Sequence, residues 1–270
     1  MKKSELIIIL YIVLITISII FFKPKNKEKQ EEGEQVSNIQ YPFYKEKYAN
    51  EYKEYQERTN LPFKKVIIDV NIGLNKPFYT DPVKVINPNS LTVLVNKYHY
   101  LPKDFVPNNL VETKEYAKAN LKLQDVAYNA FKEMASAITK EKLKIRIVSA
   151  YRSYEYQENL YNNYLKYESQ EKVDTYSARP GYSEHQTGLA VDIDNNDVNY
   201  NQFHLTKEFT WMQNNAYLYG FILRYPLGKE NITGYKYEPW HYRYVGKNIA
   251  KYIHENDLTY DEYYALFLDN

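Results

Sequence analysis

The stretch SARPGYSEHQTGLAVDIDNN, residues 177–196, holds one of the chain's five histidines, two of its eight glycines and a cluster of acids. A loop has use for glycine and for polar side chains, but not for His185 set seven positions before Asp192. On one straight strand these two residues would stand over ~20 Å apart, at ~3.3–3.6 Å per residue, so they meet only if the chain turns back between them. Gly188 lies in that interval and permits the turn. After it LAVDID alternates, with Leu189, Val191 and Ile193 on one face and Ala190, Asp192 and Asp194 on the other. A loop carrying His185 can therefore fold over a strand that presents Asp192. Zinc accepts imidazole and carboxylate together, but a catalytic site takes three protein ligands and leaves one position open.

The third ligand should be another histidine, from among His99, His204, His241 and His254. His241 lies in YEPWHYRYVG, three residues after Glu238. On a regular strand these two would face opposite ways. Pro239 breaks that regularity and biases Glu238 towards an extended backbone, so both side chains can converge. A divalent metal lowers the pKa of a water to about 7, and a neighbouring carboxylate can take that proton and pass it to a leaving amine.

The remaining composition excludes more than it assigns. Basic and acidic residues nearly cancel, 35 against 34, and no basic run is interleaved with aromatics, which argues against a nucleic-acid groove. Cysteine is absent, which removes disulfide and thiolate chemistry. At the N-terminus, LIIILYIVLITISIIFF, Leu6 to Phe22, runs without a charge and as a helix would span ~25 Å. It ends in Phe-Phe-Lys-Pro with no small-residue cleavage site, and reads as an uncleaved membrane anchor. Lys23, Lys25, Lys27 and Lys29 outnumber Lys2 and Lys3, and by the positive-inside rule alone that favours a cytoplasmic body. Residues 23–40 are charged and aperiodic, a solvated tether, and residues 41–60 carry a possible helix.

Beyond the tether, KKVIIDVNIG (64–73) and LTVLVNKYHYL (91–101) read as strands, separated by the turn-rich DPVKVINPNS. LQDVAYNAFKEMASAITKEK (123–142) has helical spacing, LKIRIVSA (143–150) alternates as a strand, and a helix should follow with Ser153 as its N-cap. A helix from Thr206 should end at Gly220. FILRYP and WHYRYVG read as strands, and KNIAKYIHEN and TYDEYYALF as helices. Strands and helices do not alternate regularly, so the expected class is α+β, with a mostly antiparallel sheet and helices on one side.

SEHQTGLAVD resembles the S-x-H-x-x-G-x-A-x-D signature of VanY-type zinc D-alanyl-D-alanine carboxypeptidases, and EPWH resembles their second signature. With SAYRSYEYQENLY upstream, residues of about 125–250 look like VanY and the related LdcB-type LD-carboxypeptidases. The resemblance implies a Hedgehog/DD-peptidase-like fold and a domain at 61–270. It also implies zinc held by His185, Asp192 and His241, with Glu238 as general base and then acid. Arg152 corresponds to the family arginine that engages the scissile carbonyl or the terminal carboxylate. Gln157 and Ser183 correspond to polar positions around the terminal D-residue. The implied substrate is a peptidoglycan stem peptide outside the membrane, which would put the body there, against the lysine count, as a monomer. DD- and LD-specificity stay open, as does an endopeptidase. The rival class is a wall-binding or signalling module that keeps zinc for stability, for which an acid beside the metal has no use.

Other residues are expected to play structural parts: Asp194 and Asp197 solvated or capping, His204 structural, His99 and His254 exposed or half-buried, and Trp240 in the core. Tyr182 and Tyr237 are weak candidates for the cleft border.

Overall fold

A computed structural model of the chain describes residues 41–269. The anchor and tether expected at 1–40 lie outside the described residues. Among the described residues, no helix is long and apolar enough to cross a membrane.

One compact unit runs from Phe43 through the rest of the described chain. It opens with two helices, α1 (Ala49–Thr59) and α2 (Phe63–Ile72). Tyr52 of α1 is buried and donates to Asn71 Oδ1 of α2 at 2.7 Å, so the region of the possible helix is built into the body. The expected strand KKVIIDVNIG is the helix α2. Every residue from Val66 to Ile72 is buried, so the segment has no polar stripe to betray its period, and its β-branched residues imitate a strand.

Two short strands, β1 (Val83–Lys84) and β2 (His99–Tyr100), pair in parallel. The expected strand at 91–101 survives only as β2. Val93, Leu94 and Val95 are buried, but the carbonyls of Leu91 and Val93 accept from Arg243 rather than from a neighbouring strand. β3 (Leu110–Thr113) and β4 (Leu121–Gln124) form an antiparallel hairpin that leads into α3 (Asp125–Lys140).

The central sheet is antiparallel throughout. Its strands β5 (Arg146–Ser149), β6 (Ala190–Asp194), β7 (Phe221–Leu223) and β8 (His241–Tyr244) stand in the order β5-β6-β8-β7. Between β5 and β6 come α4 (Tyr154–Leu165) and α5 (Gln170–Val173). Ser153 caps α4 by accepting from the Tyr156 N–H, as its position suggests. α6 (Lys207–Asn215) is capped by Thr206, and the chain stops at Gly220 in the left-handed conformation. α7 (Glu230–Thr233), α8 (Lys247–Glu255) and α9 (Tyr260–Phe267) complete the described chain.

Strand alternation divides the sheet into two chemistries. Ile147, Val191, Ile193 and Tyr242 point to one face and pack with Phe131, Met134 and Ile138 of α3 and Met212 of α6 in the main core. The other face carries Asp192, His241 and Arg243. Near β7 that face is covered too, where Ile222 packs with Ala250 and Ile253 of α8 and Tyr260 of α9. Helices therefore lie on both faces rather than one. The polar face needs covering because Arg243 is fully buried there and must be paired within the protein.

Candidate active site

The chain turns back between His185 and Asp192 by a 3-10 turn, Glu184–Thr187, that ends at Gly188 with φ 66°. A Cβ at Gly188 would lie 2.8 Å from Leu110 Cδ2, so both conformation and space call for glycine. The reversal brings His185 Nε2 to 3.3 Å from Asp192 Oδ2. Across the ladder Asp192 pairs in register with His241, and His241 Nδ1 lies 3.2 Å from Asp192 Oδ1. One ligand atom from each of the three residues falls within 4.8 Å of the others.

Glu238 precedes β8 in a turn whose carbonyl accepts from the His241 N–H at 3.2 Å. That turn replaces strand geometry across Pro239 and brings Glu238 Oε2 to 3.6 Å from His241 Nδ1. Arg152 donates its backbone N–H to the His185 carbonyl at 3.2 Å, and its buried Nε has no partner among the described residues. Gln157 is buried, donates to the Ala178 carbonyl at 2.8 Å and leaves Oε1 unpaired among the described residues. Ser183 is buried at the start of the 3-10 turn and offers no side-chain cap. All seven residues line one cleft of about 330 Å³, together with Tyr164, Tyr200, Tyr225, Tyr235 and Trp240.

The electrostatics suit a cation. Burial alone would raise Asp192, but the His185 and His241 imidazoles outweigh it and hold the carboxyl well below the usual range. Burial, then Arg152, lowers His185 to about 4, which leaves it neutral as a ligand must be. Burial would also lower His241, but the Asp192 and Glu184 carboxylates raise it to about 9. Burial lifts Glu238 to about 8, against the opposing pull of His241. The donor set fits zinc: two imidazoles and a carboxylate, with His185 Nε2 and Asp192 Oδ1 buried without a hydrogen-bond partner. The His185 Nδ1 side is held by the Ala150 carbonyl at 2.6 Å, which leaves Nε2 for a metal.

The remaining histidines lie outside the cleft. His99 is half-buried against Asn96, while His204 and His254 are exposed. Two expectations change. Trp240 is not core: it is partly exposed in the cleft, edge-on to Tyr200 with ring centroids 4.9 Å apart. Asp194 is buried in a two-point ion pair with Arg146, at 2.7 and 3.2 Å, besides capping the Asn196 N–H. Asp197 is exposed and pairs with Lys144. Tyr182 packs against Tyr79 and Tyr100, and Tyr237 against Phe209, and neither is among the cleft residues.

Sequence reading missed Glu184, Arg224 and Arg243, which are buried directly behind His241. The available signal was an arginine inside each of the apolar strand segments FILRYP and WHYRYVG. By alternation Arg243 shares a face with His241.

A His–Asp–His ligand set on the open part of a sheet, with a buried acid beside it, defines a metal-dependent hydrolase. The chain belongs to the VanY D-alanyl-D-alanine carboxypeptidase family, whose model matches residues 120–247. YodJ of Bacillus subtilis (strain 168) is 44% identical over 186 residues, covering 66% of this chain and 68% of its own. The solved LdcB LD-carboxypeptidase is 41% identical with a TM-score of 0.66, covering 68% of this chain and 90% of that one. A mutant of the D,D-pentapeptidase VanY, solved with Zn(II), is 31% identical with a TM-score of 0.54, covering 64% of this chain and 97% of its own.

Proposed function

We propose that this protein is a zinc carboxypeptidase that removes the C-terminal D-alanine from peptidoglycan stem peptides. The observation that carries the reading is the convergence of His185, Asp192 and His241 with Glu238 beside them, Oε2 3.6 Å from His241 Nδ1. His185, Asp192 and His241 would hold the ion. Bound there, zinc supplies Lewis-acid polarisation of the scissile carbonyl, a water with a pKa near 7, and positive charge that favours the ionised form of Glu238.

The chain's own groups do the rest. Glu238 takes the proton of the attacking water and returns it to the amine of the departing D-alanine. Arg152 presents a guanidinium whose Nε has no competing partner among the described residues, and it pairs with the carbonyl oxygen as charge develops, or with the terminal carboxylate. Gln157 and Ser183 close the cleft around the terminal residue. Tyr200 and Trp240 wall its side and exclude water.

The substrate lies outside the cell membrane. We therefore place the domain on that side, tethered by residues 23–40 to an anchor at Leu6–Phe22, with the chain acting as a monomer. This rests on substrate chemistry and overrides the flanking lysines.

The test is D-alanine release from defined muropeptides with and without a chelator. Cleavage of a pentapeptide stem assigns DD-specificity, and cleavage of a tetrapeptide stem assigns LD-specificity. Chelator-resistant release, or release from neither stem, overturns the reading. Membrane pelleting of the full chain, compared with one lacking residues 1–40, tests the anchor.

A further inference from the structure

We propose that Glu184 is a positioning residue for the metal site: it holds the far nitrogen of the His241 imidazole, so that Nδ1 is the nitrogen presented to the ion. This rests on the zinc reading above and adds a residue to it.

Two buried atoms carry the inference. Glu184 Oε2 has no hydrogen-bond partner among the described residues, nor has His241 Nε2, and they face each other at 3.6 Å. A carboxylate oxygen this deep is not left unpaired without reason. On the opposite edge of the same ring, Nδ1 faces Asp192 and Glu238, so the ring has one side for the ion and one for Glu184. His185 has the equivalent arrangement, with its Nδ1 held by a backbone carbonyl and its Nε2 free. A ligand histidine held by a carboxylate is fixed in tautomer and made more basic than one held by a carbonyl.

Glu184 is itself immobilised. Its Oε1 accepts from Arg224 Nε at 2.8 Å and from Arg243 Nη1 at 3.0 Å. Arg224 is gripped by Asp261 of α9 at 2.6 and 3.3 Å, and Asp261 accepts from Asn96 at 2.8 Å. Arg243 donates to the Leu91 and Val93 carbonyls. The two acids and two arginines cancel in charge. Through them α9 and the segment 91–96 hold the arginine cluster, and within it Glu184 Oε2 is the atom that faces the His241 ring. A purely structural role would end at charge balance and would not require the orphan oxygen to face the orphan nitrogen.

Glu184→Gln separates the two roles. With its carbonyl towards the arginines, the glutamine presents an NH2 group to His241 Nε2. That nitrogen must then accept, which moves the ring proton to Nδ1 and blocks the ligand nitrogen. Asp261→Asn disturbs the same arginine cluster without touching His241. Zinc dissociation constants are measured by competition with a chromogenic chelator on the full chain. We expect Glu184→Gln to bind zinc roughly 10- to 100-fold more weakly, and Asp261→Asn to stay within about threefold of wild type while melting at lower temperature. Equal affinity in Glu184→Gln and wild type overturns the proposal, as does an equal loss in both variants. Should Glu184→Gln fail to fold, 15N-histidine NMR of the zinc-loaded wild type decides. His241 bound through Nδ1 with a protected Nε2–H supports the proposal, and His241 bound through Nε2 overturns it. Failure of the wild type to bind zinc at all refutes the zinc reading itself, and the proposal with it.

Discussion

Asp192 and His241 stand directly opposite each other across the β6–β8 ladder, with side chains on the same face and Oδ1 3.2 Å from Nδ1. Two of the three candidate ligands are thus fixed by sheet register, and a slip of one residue in either strand would send its candidate ligand to the apolar face. His185 is the candidate ligand that arrives on a turn.

Asp192→Asn keeps the side-chain shape and removes the charge. The variant should fold and lose its zinc, and D-alanine release should fall with it. Metal content by atomic absorption, set beside circular dichroism, checks this. Stoichiometric zinc in the folded variant contradicts the ligand assignment.

Glu238→Gln removes the proposed proton carrier and leaves the three candidate ligands in place. Zinc content should be unchanged, while turnover drops roughly 10²- to 10⁴-fold. A variant with full zinc and wild-type turnover would show that the proton travels another way.

Gly188→Ala places a Cβ 2.8 Å from Leu110 Cδ2, at a φ of 66°. The cost should be on the order of 1–3 kcal/mol in urea unfolding. Because the residue anchors the reversal behind His185, zinc affinity should weaken as well. Loss of stability with unchanged zinc affinity would mean that the turn adjusts without moving the imidazole.

Lys97 is closed in by the rings of Phe78, Tyr79 and Tyr235, and its ammonium donates to the Asp174 carbonyl. Burial, opposed by Asp174, pulls its pKa from 10.5 to about 8. Between those values the unfolded chain holds the extra proton, so the Lys97 contribution to stability grows as pH rises through that window. It is lost as pH falls through about 8. Urea unfolding of wild type and Lys97→Met at pH near 7 and near 10 should shift the difference towards wild type at the higher pH. The shift should be on the order of 3 kcal/mol at most. A difference independent of pH would show that the ammonium is solvated.

Local pattern was sufficient for some elements. The alternation of LAVDID, the helical spacing at Asp125–Lys140 and the Ser153 and Thr206 caps are short-range regularities that survive folding unchanged. The signatures around His185, Asp192, Glu238 and His241 were legible because each confines its chemistry to a few adjacent positions.

The sequence by itself determined the alternation of LAVDID that puts Asp192 on the face opposite Val191 and Ile193, and the need for a reversal at Gly188, since alternation and turn chemistry are properties of neighbouring residues. Only the tertiary structure decided that 64–73 is a helix, because a segment buried on all sides loses the amphipathic stripe that marks its period. Only the tertiary structure placed Glu184, Arg224, Arg243 and Asp261 in one buried cluster beside His241. Their partners lie 37 to 59 residues apart, and the cost of burying each charge is met only by those distant groups.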